Sequence, residues 1–129
     1  VMLTGDNEYT ANVIAKEAGV NEYVAECVPE TKVEYIKKYN EQYKQVGMVG
    51  DGINDAPALA TASVGIAMGD GTDVALETAD IVLMKNNLTK IEYAIRMSRK
   101  MQRIVKQNMF FSVCVIILLV ISNFFQAIN

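Results

Sequence analysis

A chain of 129 residues that is 51% hydrophobic and 21% charged can bury the core of one domain, and its composition excludes an intrinsically disordered tail. The net charge of −3 hides an asymmetry: residues 1–91 carry seven Lys/Arg against fourteen Asp/Glu, and residues 92–129 carry five Lys/Arg against one acid. An acidic body followed by a basic collar implies two environments, and no nucleic-acid partner is expected.

Val1-Met2-Leu3 reads as the middle of a buried strand. With no initiating Met and no signal peptide, both termini are expected to be cut edges of a longer protein. Further strands are expected at Tyr23–Ala25, Val46–Val49, Val64–Ala67 and Ile81–Met84. Helical patterns lie between them, near Tyr9–Ala18, Pro29–Tyr43, Ala56–Ala62 and Thr72–Ala79. In the second helix Val33, Ile36 and Lys37 follow the spacing of one face, with Tyr43 two turns further on, and Pro29 suits the first turn. Strands and helices alternating at this length predict an α/β fold with a parallel sheet covered on both faces. A last amphipathic stretch, Leu88–Gln107, runs into Met109–Ile128, 20 residues without a charge. At about 1.5 Å per residue such a helix spans roughly 30 Å, the hydrocarbon thickness of a bilayer. The chain is therefore divided into an α/β part at 1–91, a basic amphipathic helix at 92–108 and a membrane helix at 109–128. The basic collar (Arg96, Arg99, Lys100, Arg103, Lys106) places residues 1–108 in the cytosol by the positive-inside rule. Cys27 and Cys114 form no metal-ligand spacing and read as small packing residues.

In an open α/β sheet, ligands bind beyond the carboxyl ends of the strands. Two polar clusters fall there: Thr4-Gly5-Asp6-Asn7 after the first strand, and Gly50-Asp51-Gly52-Ile53-Asn54-Asp55 after the third. Strand-to-helix turns of this kind form anion-binding nests. Asp51, Asn54 and Asp55 offer hard oxygen ligands for Mg²⁺, which takes one or two carboxylates plus waters and phosphate oxygens. Asp55 before Ala56-Pro57 also reads as a helix N-cap, so capping and metal binding both stand for that residue. Thr4 has a hydroxyl to offer a phosphate oxygen beside the Gly5 N–H. Lys32, in Pro29-Glu30-Thr31-Lys32, opposes the dipole of its own helix, so an anion facing it and an ordinary solvated lysine both stand as readings. Lys37 and Lys38 read as solvated.

Gly50-Asp51-Gly52-Ile53-Asn54-Asp55-Ala56-Pro57-Ala58-Leu59 is similar to the GDGxNDAPAL motif of P-type ATPases. Thr4-Gly5-Asp6 resembles their TGD motif, and Pro29-Glu30-Thr31-Lys32 their P-x-x-K segment, in the family's order. The resemblance implies a Rossmann-like phosphorylation domain of the haloacid-dehalogenase superfamily, followed by a membrane helix. It further implies ATP and Mg²⁺ as cofactors of the full-length protein. Asp51 would ligate Mg²⁺, with Asn54 and Asp55 supporting the phosphoryl group and the metal. Lys32 would neutralise the transferring phosphoryl group, Thr4 and Gly5 would hold its oxygens, and Asp6 would anchor that loop.

The family's phosphorylated Asp, in a DKTGT motif, has no counterpart here, so this chain is expected to be inactive alone. The segments Met68–Ala75 and Ala79–Met84 look most like heavy-metal exporters. That resemblance makes a metal cation and the lipid bilayer the expected partners, and a cell membrane the expected location. Copper exporters carry a Tyr-Asn pair where this chain has Val115 and Ile116, and zinc/cadmium exporters usually have a Lys at the second position; with neither present, zinc or a related divalent ion is preferred to copper. Ser112, Ser122 and Asn123 form no ion site by themselves. The alternatives are a soluble phosphatase of the same superfamily, disfavoured by the uncharged span, and a membrane-anchored interaction module without catalysis.

Overall fold

The computed structural model describes residues 1–51, 54–69, 73–85 and 87–128, and for residues 74–76 the backbone alone. Gly52 and Ile53 of the long motif, and Asp70, Gly71 and Thr72 further on, lie outside the described residues. The elements run β1 (Met2–Leu3), α1 (Glu8–Ala18), β2 (Tyr23–Val24), α2 (Pro29–Tyr43), β3 (Gly47–Gly50), α3 (Ala56–Thr61), β4 (Val64–Met68), α4 (Asp73–Thr78), β5 (Ile81–Leu83) and α5 (Thr89–Ile128). Contacts divide the chain after Asn87, a few residues before the boundary expected from charge, because α5 begins at Thr89 and runs unbroken to Ile128.

Helix α1 shows why these boundaries were legible. Asn7 caps it by accepting from the Thr10 N–H at 2.9 Å, Glu8 and Lys16 suit the two ends of the dipole, and Gly19 stops it at φ 66°. Ala11 and Ala15, one helical turn apart, form its buried stripe. Tyr23 ties β2 to this helix, donating to Glu8 at 2.6 Å and accepting from Asn12 at 3.0 Å. The bond to Glu8 stabilises the protonated phenol and raises its pKa above the ordinary tyrosine value.

All described strand pairs are parallel, as expected, but they form two ladders, β1-β2 and β3-β4-β5. Among the described residues β1 and β3 do not pair with each other, so each keeps one unpaired edge. Beside β3 and β4 lies the core: Ile36 of α2, Met48, Ala58, Leu59 and Ala67, with Val33, Val46, Ala62, Ala79 and Val82 packed around it. Val33 and Ile36 thus face inward as their spacing predicts. Lys37 and Tyr43 are exposed, and the inward face continues at Asn40, where a polar relay replaces apolar packing. Asn40 donates to the Thr61 carbonyl and accepts from Ser63, whose hydroxyl in turn accepts the Val46 N–H. This relay satisfies backbone groups that would otherwise be orphaned where α2, α3 and β3 meet.

At the other flank, Asp80 clamps β4 just before β5 begins. Its carboxylate accepts the Gly65 N–H at 2.8 Å, and its own N–H donates to the Gly65 carbonyl at 2.9 Å. Cys27 is buried with its thiol against the Val24 and Ala25 carbonyls, the packing role its isolation predicts. Helix α5 has 40 residues, none of them buried, and is long and apolar enough to cross a membrane.

Candidate functional site

The first loop is built from backbone bonds. Thr4 extends the β1 ladder by donating to the Val24 carbonyl, and its own carbonyl accepts the Cys27 N–H at 2.9 Å. The Asp6 carbonyl accepts the Glu26 N–H at 2.8 Å, and Glu26 adopts a φ of 54°. The TGD loop is therefore fastened to the segment that leads into α2, the helix carrying Lys32. Within the loop, the Thr4 hydroxyl donates to Asp6 Oδ2 at 2.8 Å and accepts the Asp6 N–H at 3.2 Å. Asp6 thus anchors the Thr4 side chain, and in this state the Thr4 proton points to Asp6. Gly5 is exposed, and a side chain there would approach the Cys27 carbonyl at 3.5 Å, ordinary contact.

The second loop leaves β3 at Gly50. Asp51 is exposed at the carboxyl end of that strand, and Asn54 is exposed just ahead of Asp55. Asp55 occupies the N-cap position of α3 but makes no side-chain capping bond. Its Oδ1 instead lies 2.6 Å from Lys32 Nζ, and the two side chains are only 14% and 16% exposed. Of the two readings open for Asp55, capping is the one the geometry does not support. The anion that Lys32 faces is, among the described residues, Asp55. A close, charge-assisted bond between partly buried groups holds both side chains in one geometry.

Gly50 makes this possible. A Cβ at residue 50 would sit 2.7 Å from Asp55 Oδ2 and 2.8 Å from Asp55 Cβ. Only glycine lets the Asp55 carboxylate lie against the strand while it reaches Lys32. Gly50→Ala is accordingly expected to push Asp55 aside and weaken the ion pair, lowering stability by about 1–3 kcal/mol. Loss of the Lys32–Asp55 contact in a structure of the variant would confirm the cause, and an undisturbed pair would refute it.

The residues fit a magnesium ion in one respect and limit it in another. Two carboxylates and an amide oxygen belong to one strand-end loop, the hard donors Mg²⁺ takes. Yet one Asp55 oxygen is engaged by Lys32, and among the described residues no group of three His, Cys, Asp or Glu side chains is placed to hold a metal. Asp51, Asn54 and the second Asp55 oxygen are the donors such an ion would take, with waters and phosphate oxygens completing its shell. Sequence reasoning did not reveal the Glu26 and Cys27 amides that fasten the first loop. No local pattern marks them.

Known proteins resemble this chain over most of its length. A family model for haloacid dehalogenase-like hydrolases matches residues 1–63. The zinc-transporting ATPase of Bacillus subtilis is 63% identical over 128 residues, covering 99% of this chain and 20% of the relative. The strong homologues of this chain are heavy-metal P-type ATPases. The copper-exporting P-type ATPase of the same organism is 54% identical over 112 residues, covering 87% of this chain and 14% of that protein. A solved structure of a zinc-transporting PIB-type ATPase superimposes with a TM-score of 0.77 at 50% identity, over 84% of this chain and 18% of the other. The chain therefore spans about a fifth or less of the length of these heavy-metal ATPases.

Proposed function

We propose that this chain supplies the magnesium- and phosphate-binding part of the phosphorylation site of an ATP-driven heavy-metal transporter. In this reading residues 1–91 form the C-terminal part of the phosphorylation domain, 92–108 a basic cytosolic helix and 109–128 a span of the cell membrane. The observation that carries it is the Lys32–Asp55 contact, which joins the P-x-x-K helix to the GDGxND loop across 23 residues. Lys32 offers positive charge to a phosphoryl group. Asp55 holds that ammonium in place, and Gly50 admits Asp55. Thr4 and the Gly5 N–H bind phosphoryl oxygens, Asp6 sets the Thr4 rotamer, and Asn54 adds a neutral donor at the opposite loop. Bound through Asp51, Mg²⁺ would neutralise charge on the phosphoryl oxygens. The acceptor carboxylate would come from elsewhere in the longer protein. The unpaired edges of β1 and β3 suit one more parallel strand to carry it.

Zinc or a related divalent ion is the preferred cargo, supported by the higher identity to the zinc-transporting relative than to the copper-exporting one. In the full-length protein Asp51→Asn is expected to abolish Mg²⁺-dependent labelling by ATP, a loss of at least about 100-fold on the scale of removing one electrostatic partner. Normal labelling of the variant would remove Asp51 from the site.

A further inference from the structure

We propose that the basic stripe of α5 is a binding site for anionic phospholipid headgroups, centred on Arg103 and Lys106. The proposal rests on the membrane reading of Met109–Ile128 given above. Arg96, Arg99, Lys100, Arg103 and Lys106 are all exposed. At about 100° per residue they share an arc of about 120° on one side of the helix. The other side carries Met97, Met101, Ile104 and Val105, so the stripe is confined to one face.

Neutralisation is nearly absent. Glu92 meets Arg96 at 3.9 Å, and among the described residues Arg99, Lys100, Arg103 and Lys106 have no ion pair. The last turns before the span therefore present unbalanced positive charge. A shallow groove of about 550 Å³ runs down this face, lined by Arg99, Gln102, Arg103, Lys106, Gln107 and Phe110. Cations and amide donors alternate along it as far as Gln107, and it ends on the Phe110 ring at the start of the uncharged span. That order matches a phospholipid, with phosphate above and acyl chain below.

Depth agrees with the chemistry. At about 1.5 Å per residue Lys106 lies roughly 4.5 Å, and Arg103 roughly 9 Å, from Met109, within reach of the headgroup layer. Arg96, Arg99 and Lys100 stand further out, where side-chain length and the surface potential still attract them. A cation near an anionic surface favours it by about fivefold. An acidic protein surface would also attract the stripe, but it would not account for the aromatic end of the groove at the start of the span.

The test uses the full chain reconstituted in vesicles of phosphatidylcholine with a minority of phosphatidylglycerol, and spin-labelled versions of each lipid. The motionally restricted phosphatidylglycerol signal is expected to exceed that of phosphatidylcholine by about fivefold. Added salt should reduce the ratio, and the R103Q/K106Q variant should bring it close to one. Release of the chain by alkaline carbonate would overturn the membrane reading and this proposal together. Retention with equal association of the two lipids would overturn this proposal alone and assign the stripe to an acidic protein surface.

Discussion

Lys32→Ala is expected to slow phosphoryl transfer in the full-length protein by about 100- to 1,000-fold, the range for removing one preorganised electrostatic partner. It should also destabilise the α/β part, because Asp55 is then left without its partner at 14% exposure. Removing one member of a fully buried pair costs about 3–5 kcal/mol, and the residual exposure here places the loss nearer 2–3 kcal/mol. The two effects are separable. Lys32→Ala with Asp55→Asn removes the orphaned charge, so the double variant should recover much of the stability and none of the rate. Urea midpoints and single-turnover labelling from ATP measure each. Recovery of both would mean that Lys32 acts only through the fold, and a stable Lys32→Ala protein with an unchanged rate would return it to the solvated surface.

Gly65→Ala should give the largest purely structural loss. Its Cβ would stand 2.7 Å from the Leu59 carbonyl oxygen and 3.2 Å from the carbonyl carbon, and neither is the far end of a flexible side chain. Helix α3 and strand β4 would have to separate at Leu59, one of the most deeply buried residues of the core. The same shift would strain both hydrogen bonds between Gly65 and Asp80. Overpacking of this kind costs about 1–3 kcal/mol, and the loss of a clamp to β5 pushes the expected value to the upper end. The check is amide exchange in β4 and β5 together with the urea midpoint. Unchanged protection at Gly65 and Ile81 would show that the two elements have slack the geometry does not reveal.

The part Lys32 plays in phosphoryl transfer was expected from the sequence, as were the elements carrying these residues, but its pairing with Asp55 and the close approach of Gly65 to Leu59 were not. The order of strands and helices followed from short apolar runs, from Asn7 and Gly19 at the ends of α1, and from Pro29 at the start of α2. These signals act within a turn or two of chain, so a single sequence displays them. Both polar loops were placed at strand ends for the same reason, and the uncharged run to Ile128 announced a long apolar helix by length alone.

Contacts between distant segments were decided by the tertiary structure. It made Asp55, which the sequence left open between a cap and a metal ligand, the partner of Lys32, made Gly50 a necessity of that turn, and ended the apolar face of α2 in a polar relay at Asn40. It also divided the expected sheet into two ladders with open edges. The amino-acid order specifies which groups are available and which local shapes they favour. Which charge meets which, and where a backbone lies too close for a Cβ, depends on packing between elements far apart in the chain, and no local periodicity encodes it.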